Sequence, residues 1–293
     1  MEKIKIITDS CSDLPLALVE EYDISMLPTP VHFGEQLYHD RGNLFPEEFY
    51  QKIDQGNDLP KTSQITPTAF QEEFEKALAA GFKVLSINFS SKLSGILQSA
   101  ILAKKEIGSA DVHIIDSRCA SVGFGMSVIK AARLTRQGMG LTEVIQETLQ
   151  YCSQMEHIFA VGSLEMLKRG GRISKTSALI GSVLNIKPIL HFQNGEILPL
   201  NKVRGSKKMY DYLLEVMAER GDQLPEQELI GINHSGNPAM AEKMKEKIME
   251  RFGIKQEKLI ISEIGAAIGS HVGRNTVSVF FQNKDKVAEA ELH

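Results

Sequence analysis

Apolar residues along this chain follow two rhythms. Short unbroken runs such as "KIKIITDS", "FKVLSINFS" and "DVHIIDS" have the length and β-branched content of buried strands. Longer stretches carry apolar positions three and four apart, as in "TAFQEEFEKALAAG", "SGILQSAILAKKEI", "GFGMSVIKAARLTRQG" and "LTEVIQETLQYCSQM". That spacing predicts amphipathic helices. Local punctuation supports the pattern. Ser12 or Asp13 is placed to cap a helix with Pro15 in its first turn. Thr66 caps the next, with Pro67 in the first helical position and Gly81 at the end. Thr142 is the expected cap of the helix that follows.

Strands alternating with helices of ten or more residues imply βαβ units and a mostly parallel sheet. The alternation runs to about residue 155, and a second set of strands and helices begins at "HIFAVGS". This set contains "KPILHFQNGEILPL", whose Asn194-Gly195 pair is a strong hairpin signal. With 293 residues, about twice an ordinary domain, the chain is expected to be an α/β protein of two domains. The first, 1–155, has a mostly parallel sheet. The second, 156–283, has a mixed sheet, and a tail spans 284–293. The chain is free to cross between the domains.

Composition narrows the class. A chain that is 42% hydrophobic and 24% charged can build a sizeable core. A formal net charge of -4 gives no global basic footprint, which argues against a nucleic-acid partner. Cys11, Cys119 and Cys152 are too few and too scattered for a disulfide framework or a zinc site. No run approaches the ~20 apolar residues of a membrane span, and "MEKIKIITDS" has no signal-peptide core. The expectation is a reduced, cytoplasmic protein without stable membrane insertion.

In open α/β sheets, ligands sit at the carboxyl ends of strands. The loops there include "TDSCSD", "TSQITPT", "NFSSKLSG", "DSRCASVG", "NHSGNP" and "GAAIGSHVGRN". They are rich in hydroxyls, glycines and amides. Ser94 and the amides of Gly95 and Ile96 sit at a helix start, where an anion is favoured, although Ser94 could serve as a cap alone. Thr62 carries a hydroxyl with no local duty once Thr66 takes the cap. His271, between Gly269 and Gly273, could be a tunable donor to a carboxylate or a packed surface residue. Arg204, in "NKVRGSKK", could be a ligand or part of a solvated basic run. Asp9, Asp13 and Asp116 could hold Mg²⁺ or cap turns. No P-loop, nucleophile elbow or G-x-G-x-x-G after the first strand occurs, and "GFGMSV" is a fragment of the last. The pattern describes an anion binder better than a catalyst, with no catalytic residue, cofactor or metal to name.

Together, "TDSCSDLP", "TSQITPTAFQEEFE", "NFSSKLSGILQSA", "IDSRCASVGFG", "LEMLKRGGRIS", "NIKPILHFQNGEI" and "SHVGRN" resemble the DegV family of bacterial fatty-acid-binding proteins, in register over about residues 3–283. The resemblance implies a two-domain α/β fold carrying one long-chain fatty acid, its carboxylate buried between the domains. It implies presentation of that acid to a separate, ATP-dependent fatty acid kinase, which makes an acyl phosphate for phospholipid synthesis. Carried over by position, it implies that Thr62 and Ser94 bond the carboxylate, assisted by the Gly95 amide, with His271 and Arg204 as further site residues. The sequence departs from the family pattern at Ile65, Ile96 and Arg274-Asn275. The last departure, just after His271, bears on that residue's local path.

A singly charged carboxylate does not demand a lysine, since two hydroxyls and one or two amides satisfy its lone pairs. Strength would come from the tail. At roughly 0.8 kcal/mol per buried methylene, a 16-carbon chain grosses about 11 kcal/mol, and a micromolar complex requires about 8. Candidate walls are Phe89, Leu93, Ile96, Leu97, Phe159, Leu179, Ile180, Val183, Leu184, Ile186, Ile189, Phe280 and Phe281, all of which could equally be core. The basic segment "LKRGGRISK" is either a helix end stabilised by the macrodipole or part of a kinase-docking surface. Two rival functions stand beside the carrier. One is a phosphotransferase or hydrolase acting on a small anion. The other is a regulatory module that senses acyl chains.

Overall fold

The computed structural model describes residues 2–56, 59–173, 185–286 and 290–293. In chain order the elements begin with β1 (Ile4–Asp9), α1 (Leu16–Glu21), β2 (Ser25–Leu27), β3 (Pro30–Phe33), β4 (Gln36–His39), α2 (Pro46–Gln55), β5 (Lys61–Thr62) and α3 (Pro67–Ala79). They continue with β6 (Lys83–Asn88), α4 (Ile96–Ile107), β7 (Val112–Asp116), α5 (Ser121–Arg136), α6 (Leu141–Ser153), β8 (Met155–Ala160) and α7 (Glu165–Arg169). The remainder are β9 (Ile186–Gln193), β10 (Glu196–Arg204), α8 (Ser206–Arg220), β11 (Ile230–His234), α9 (Pro238–Phe252), β12 (Leu259–Glu263), α10 (Ala266–Val272), β13 (Val277–Gln282) and β14 (Glu291–Leu292).

The architecture is mixed α/β, with two principal sheets. The first has the order β14-β7-β6-β1-β2. Its β1, β2, β6 and β7 are parallel, as buried βαβ strands should be. The second has the order β10-β9-β8-β13-β11-β12. It is mixed: β11 and β12 run parallel and the other neighbours antiparallel. The Asn194-Gly195 turn closes the β9–β10 hairpin with both residues at positive φ, as a two-residue loop of this kind requires. β8 is where the chain passes from the first sheet's elements to the second's. The C-terminal residues return, because β14 pairs antiparallel with β7 at the edge of the first sheet.

A third sheet, β4-β3-β5, was not expected from the pattern. Its strands are only two to four residues long, too short for an alternation to register. It packs Val31 and Phe33 against Phe49, Tyr50 and Ala266. Thr66 caps α3 as expected, accepting from the Ala69 amide. Two other caps differ. α1 begins after Pro15, because Asp13 is held in a left-handed conformation by buried partners. α6 begins at Leu141, whose amide donates to the Glu2 carboxylate at 2.9 Å, so a distant acid does the work expected of Thr142. The candidate walls Leu179, Ile180, Val183 and Leu184 fall on 174–184, outside the described residues.

One core joins β1, β6 and β7 to α5 and to Phe159, Leu190, Phe192 and Phe280 on one face of the second sheet. The opposite face carries a separate core with Met209, Leu213, Met244, Ile248 and Phe281. α5 lies between the two sheets, which explains "GFG". A Cβ on Gly123 would stand 2.7 Å from His157 Nε2 and from Phe280, and one on Gly125 would stand 2.6 Å from the Ser12 carbonyl. These glycines serve close packing.

Candidate functional site

Three short segments build the site. β5 pairs with β3, opposing Thr62 to Val31, and this fixes the hydroxyl of Thr62 at one rim. The turn after β6 is wound around Ser90, whose carbonyl accepts from the Leu93 and Ser94 amides. Asp116 holds the same turn, accepting from the Ser91 amide at 3.2 Å and its hydroxyl at 2.5 Å. The third segment is α10, which carries His271. Its start is anchored by buried carboxylates: Asp13 accepts from the Gly265 amide at 2.7 Å and Asp40 from the Ala266 amide at 2.8 Å. Arg41 lies 3.4 Å from Asp13 and donates to the Glu263 carbonyl at 2.8 Å. The aspartates of the sequence motifs thus hold backbone. Asp9 does so as well, accepting from the Cys11 amide at 3.1 Å and the Phe89 amide at 3.0 Å. Burial pushes the Asp9 carboxyl up to about 7 and that of Asp40 to about 6. No group of three or more His, Cys, Asp or Glu with metal-holding geometry occurs among the described residues.

These segments bring Thr62, Ser94, Gly95 and His271 to one cavity of about 200 Å³. Thr62 Oγ1 and His271 Nε2 are 2.9 Å apart. Ser94 Oγ accepts from the Ile96 amide at 3.3 Å and lines the cavity, but the N-cap position of α4 is Gly95, so Ser94 braces the turn ahead of the helix and is not its cap. The side chain of Gln64 lies over Gly95: a Cβ there would be 1.9 Å from Gln64 Oε1. On the far side of His271 stands Gly170, where a Cβ would be 2.3 Å from His271 Nδ1. Arg172 completes this polar end, donating to the Leu93 carbonyl at 3.1 Å and to the Gly170 carbonyl. It has no acidic partner among the described residues.

Much of the remaining lining is apolar, from Phe89, Leu93, Ile96, Phe159, Phe192 and Phe280 with Leu167, Ile197 and Ile268, and Thr29, Ser121, Asn233, Thr276 and Ser278 add polar positions to it. Leu97, Ile186, Ile189 and Phe281, also candidate walls, are not among the lining residues, and Phe281 and Ile189 belong to the core on the other face of the second sheet. His157 is buried here, accepting from the Ala120 amide at 3.1 Å and stacked on Phe192. Burial holds its pKa well below the usual range, so it is neutral.

Electrostatics at the polar end favour an anion. Burial, reinforced by the Arg172 charge, lowers the His271 pKa to about 4, so the imidazole is neutral at neutral pH. Burial also lowers the Arg172 pKa. A hydroxyl beside an imidazole suggests a nucleophile and its base, but this one lacks the third member. Among the described residues His271 Nδ1 is buried without a hydrogen-bond partner, and no carboxylate among them orients the ring. A base with a pKa of about 4 is also poorly matched to neutral pH.

Arg204 stands apart, exposed at the end of β10 opposite Ile186 and outside the cavity lining. The arginine the structure brings to the cavity is Arg172. Sequence reasoning treated its motif, "LKRGGRISK", as a surface. The signal lay in its two glycines, one of which makes room for a side chain a hundred residues away. Ser63 and Gln64, next to Thr62, were also missed.

The DegV family model matches residues 3–284. This chain belongs to the DegV family. A DegV domain-containing protein of Clostridium perfringens is 37% identical over 289 residues, covering 96% of this chain and 99% of the relative. The fatty acid-binding protein of Thermotoga maritima is 33% identical, covering 94% and 96%. Among solved structures, a DegV-family protein of Thermus thermophilus, described for its fatty acid binding, superposes with a TM-score of 0.87 at 32% identity, covering 96% of this chain and 99% of that one. Among the described residues no helix is long and apolar enough to cross a membrane.

Proposed function

We propose that this DegV-family chain binds one long-chain fatty acid, its carboxylate between Thr62, Ser94, the Gly95 amide and His271, and presents it to an ATP-dependent fatty acid kinase that forms the acyl phosphate. The observation that carries the reading is the amphipathic cavity. The Thr62 and Ser94 hydroxyls and one imidazole border the cavity together, and aromatic and aliphatic side chains make up much of the remaining lining. Arg172, free of an acidic partner among the described residues, adds positive charge at the same end. The relatives named for fatty acid binding support the ligand class. A carrier role fits better than a hydrolase, because the Thr62–His271 pair has no orienting carboxylate among the described residues. The kinase binds the ATP, which places the chain in the cytoplasm. Three free, buried cysteines agree with that compartment.

The deciding experiment is extraction and mass spectrometry of lipid that copurifies with the protein. A fatty acid of 14 to 18 carbons, roughly the length the tail-burial estimate assumes, is the expected result. A phosphorylated metabolite in its place overturns the reading. Conversion of the bound acid to its acyl phosphate by the kinase and ATP separates a carrier from an acyl-chain sensor.

A further inference from the structure

Ser278 lies on the cavity floor, on the face of β13 that looks toward α5. Its neighbours on that face are set by register: Asn233 on β11, Phe159 on β8 and Phe280 two residues along its own strand, with Thr276 just before the strand begins. Only 5% of Ser278 is exposed, and it lines the cavity. Its hydroxyl has no hydrogen-bond partner among the described residues, yet it is not among the sealed polar atoms, as the Ser99 hydroxyl and Asn233 Oδ1 are. The exposed surface of this hydroxyl therefore opens into the cavity.

Buried polar groups in native proteins find partners, and an exception calls for a physical explanation. Water is a poor answer at this position, because a buried water requires two to four polar partners. The neighbours of Ser278 offer few that it could reach. The Asn233 amide nitrogen donates to Ser121, and its oxygen, though without a partner among the described residues, is sealed from the cavity. The Thr276 hydroxyl donates to the Val272 carbonyl at 3.4 Å, which leaves only its acceptor side. Phe159 and Phe280 present rings. A hydroxyl tethered to an acyl chain does not need several protein partners to stay in place, since the chain holds it there.

Resting on the fatty-acid reading above, we propose that Ser278 is a specificity subsite for an oxygenated acyl chain, a long-chain hydroxy fatty acid whose hydroxyl pairs with Ser278 Oγ. One partner hydroxyl at one depth means that only one region of the chain can carry the substituent.

The test measures stearate and a series of positional hydroxystearates by competition against the wild-type protein, Ser278→Val and Ser278→Ala. The expected result is one position, or two adjacent ones, whose affinity matches or exceeds that of stearate, with the others about tenfold weaker. For the favoured isomer, the affinity ratio to stearate should fall about tenfold in Ser278→Val. Ser278→Ala, which adds no volume, should lower it in the same direction, so a valine variant that folds poorly leaves the test intact. The proposal is overturned if stearate binds and every hydroxy isomer is rejected, or if the ratio is the same in all three proteins. If the wild type binds neither stearate nor any hydroxystearate, the fatty-acid reading itself fails, and this subsite with it.

Discussion

Thr62 Oγ1 and His271 Nε2 meet at 2.9 Å although 209 residues separate them. The contact joins a two-residue strand of the small third sheet to the last helix. It makes the polar end of the cavity a property of the whole fold. If the carboxylate binds here, removing either loop hydroxyl leaves part of a buried anion unpaired. Thr62→Ala and Ser94→Ala should each weaken fatty acid binding by roughly 1–3 kcal/mol. Ser94 also accepts from the Ile96 amide in the turn before α4, so Ser94→Ala should lower stability by about 0.5–1.5 kcal/mol, the worth of one hydrogen bond, and Thr62→Ala by less. Titration calorimetry alongside melting curves separates the two effects. Wild-type affinity in the double variant at unchanged stability would remove both residues from the site.

His271 gives a pH prediction with a defined window. Its pKa in the free protein is about 4, lowered first by burial and then by Arg172. A bound carboxylate favours the charged ring, so the complex has the higher pKa. Between these two values binding takes up a proton, and affinity rises as pH falls. Below about 4 the ring is charged in both states and its contribution stops changing. Comparison with His271→Ala cancels the ligand's own titration. The wild type should gain affinity over the variant as pH drops below neutrality, and parallel profiles would exclude the contact. Stability of the free protein runs the other way. Because the folded pKa is depressed, the stability due to His271 is complete above its unfolded value of about 6.5 and is lost as pH falls through about 4.

Two glycines allow the site to be perturbed without backbone strain, since both sit at negative φ, near -72° for Gly170 and -83° for Gly95. Gly170→Ala would place a methyl group 2.3 Å from His271 Nδ1. The ring must swing, so the Thr62 contact and the His271-dependent pH slope should weaken together. Gly95→Ala would meet only the far end of Gln64, which is exposed and can move. Its fold should survive while the methyl group intrudes on the carboxylate position. Affinity is expected to fall about tenfold or more, a loss of at least ~1.4 kcal/mol. A Gly95→Ala protein that binds as tightly as wild type would place the head group elsewhere.

What the sequence made legible was local. Thr66-Pro67 and Asn194-Gly195 dictate their caps and turns from adjacent residues, and long periodic runs mark the strands of the first sheet. Thr62, Ser94 and His271 were legible as chemistry, each by its loop. Their convergence was carried by the family resemblance, because contacts between distant segments leave no periodic trace. The failures share that cause. Arg172 read as part of a helix end or a docking surface until the Leu93 and Gly170 carbonyls appeared beside it. The Glu2 cap on α6 and the pairing of β14 with β7 also link residues more than a hundred positions apart.

The basic segment after β8 now divides into two parts with different expected roles. Lys168 and Arg169 are exposed at the end of α7, and the one ion pair of Arg169 among the described residues, to Glu165 at 3.8 Å, is half open to solvent and contributes little. Arg172 turns inward to the cavity. Lys175 lies outside the described residues. If the exposed pair steers an acidic kinase surface, Lys168→Glu with Arg169→Glu should slow acyl-phosphate formation at low salt while fatty acid affinity stays near wild type. Added salt should slow the wild type and affect the double variant less, because a Debye length of about 8 Å at physiological ionic strength screens exposed charges. Arg172→Ala should behave differently. It frees the Leu93 carbonyl beside the head-group turn and removes the cavity's cation, so it should weaken fatty acid binding itself, and salt should not erase the difference. A double variant that supports the kinase at the wild-type rate at low salt would make the α7 end structural and send the search for the docking surface elsewhere.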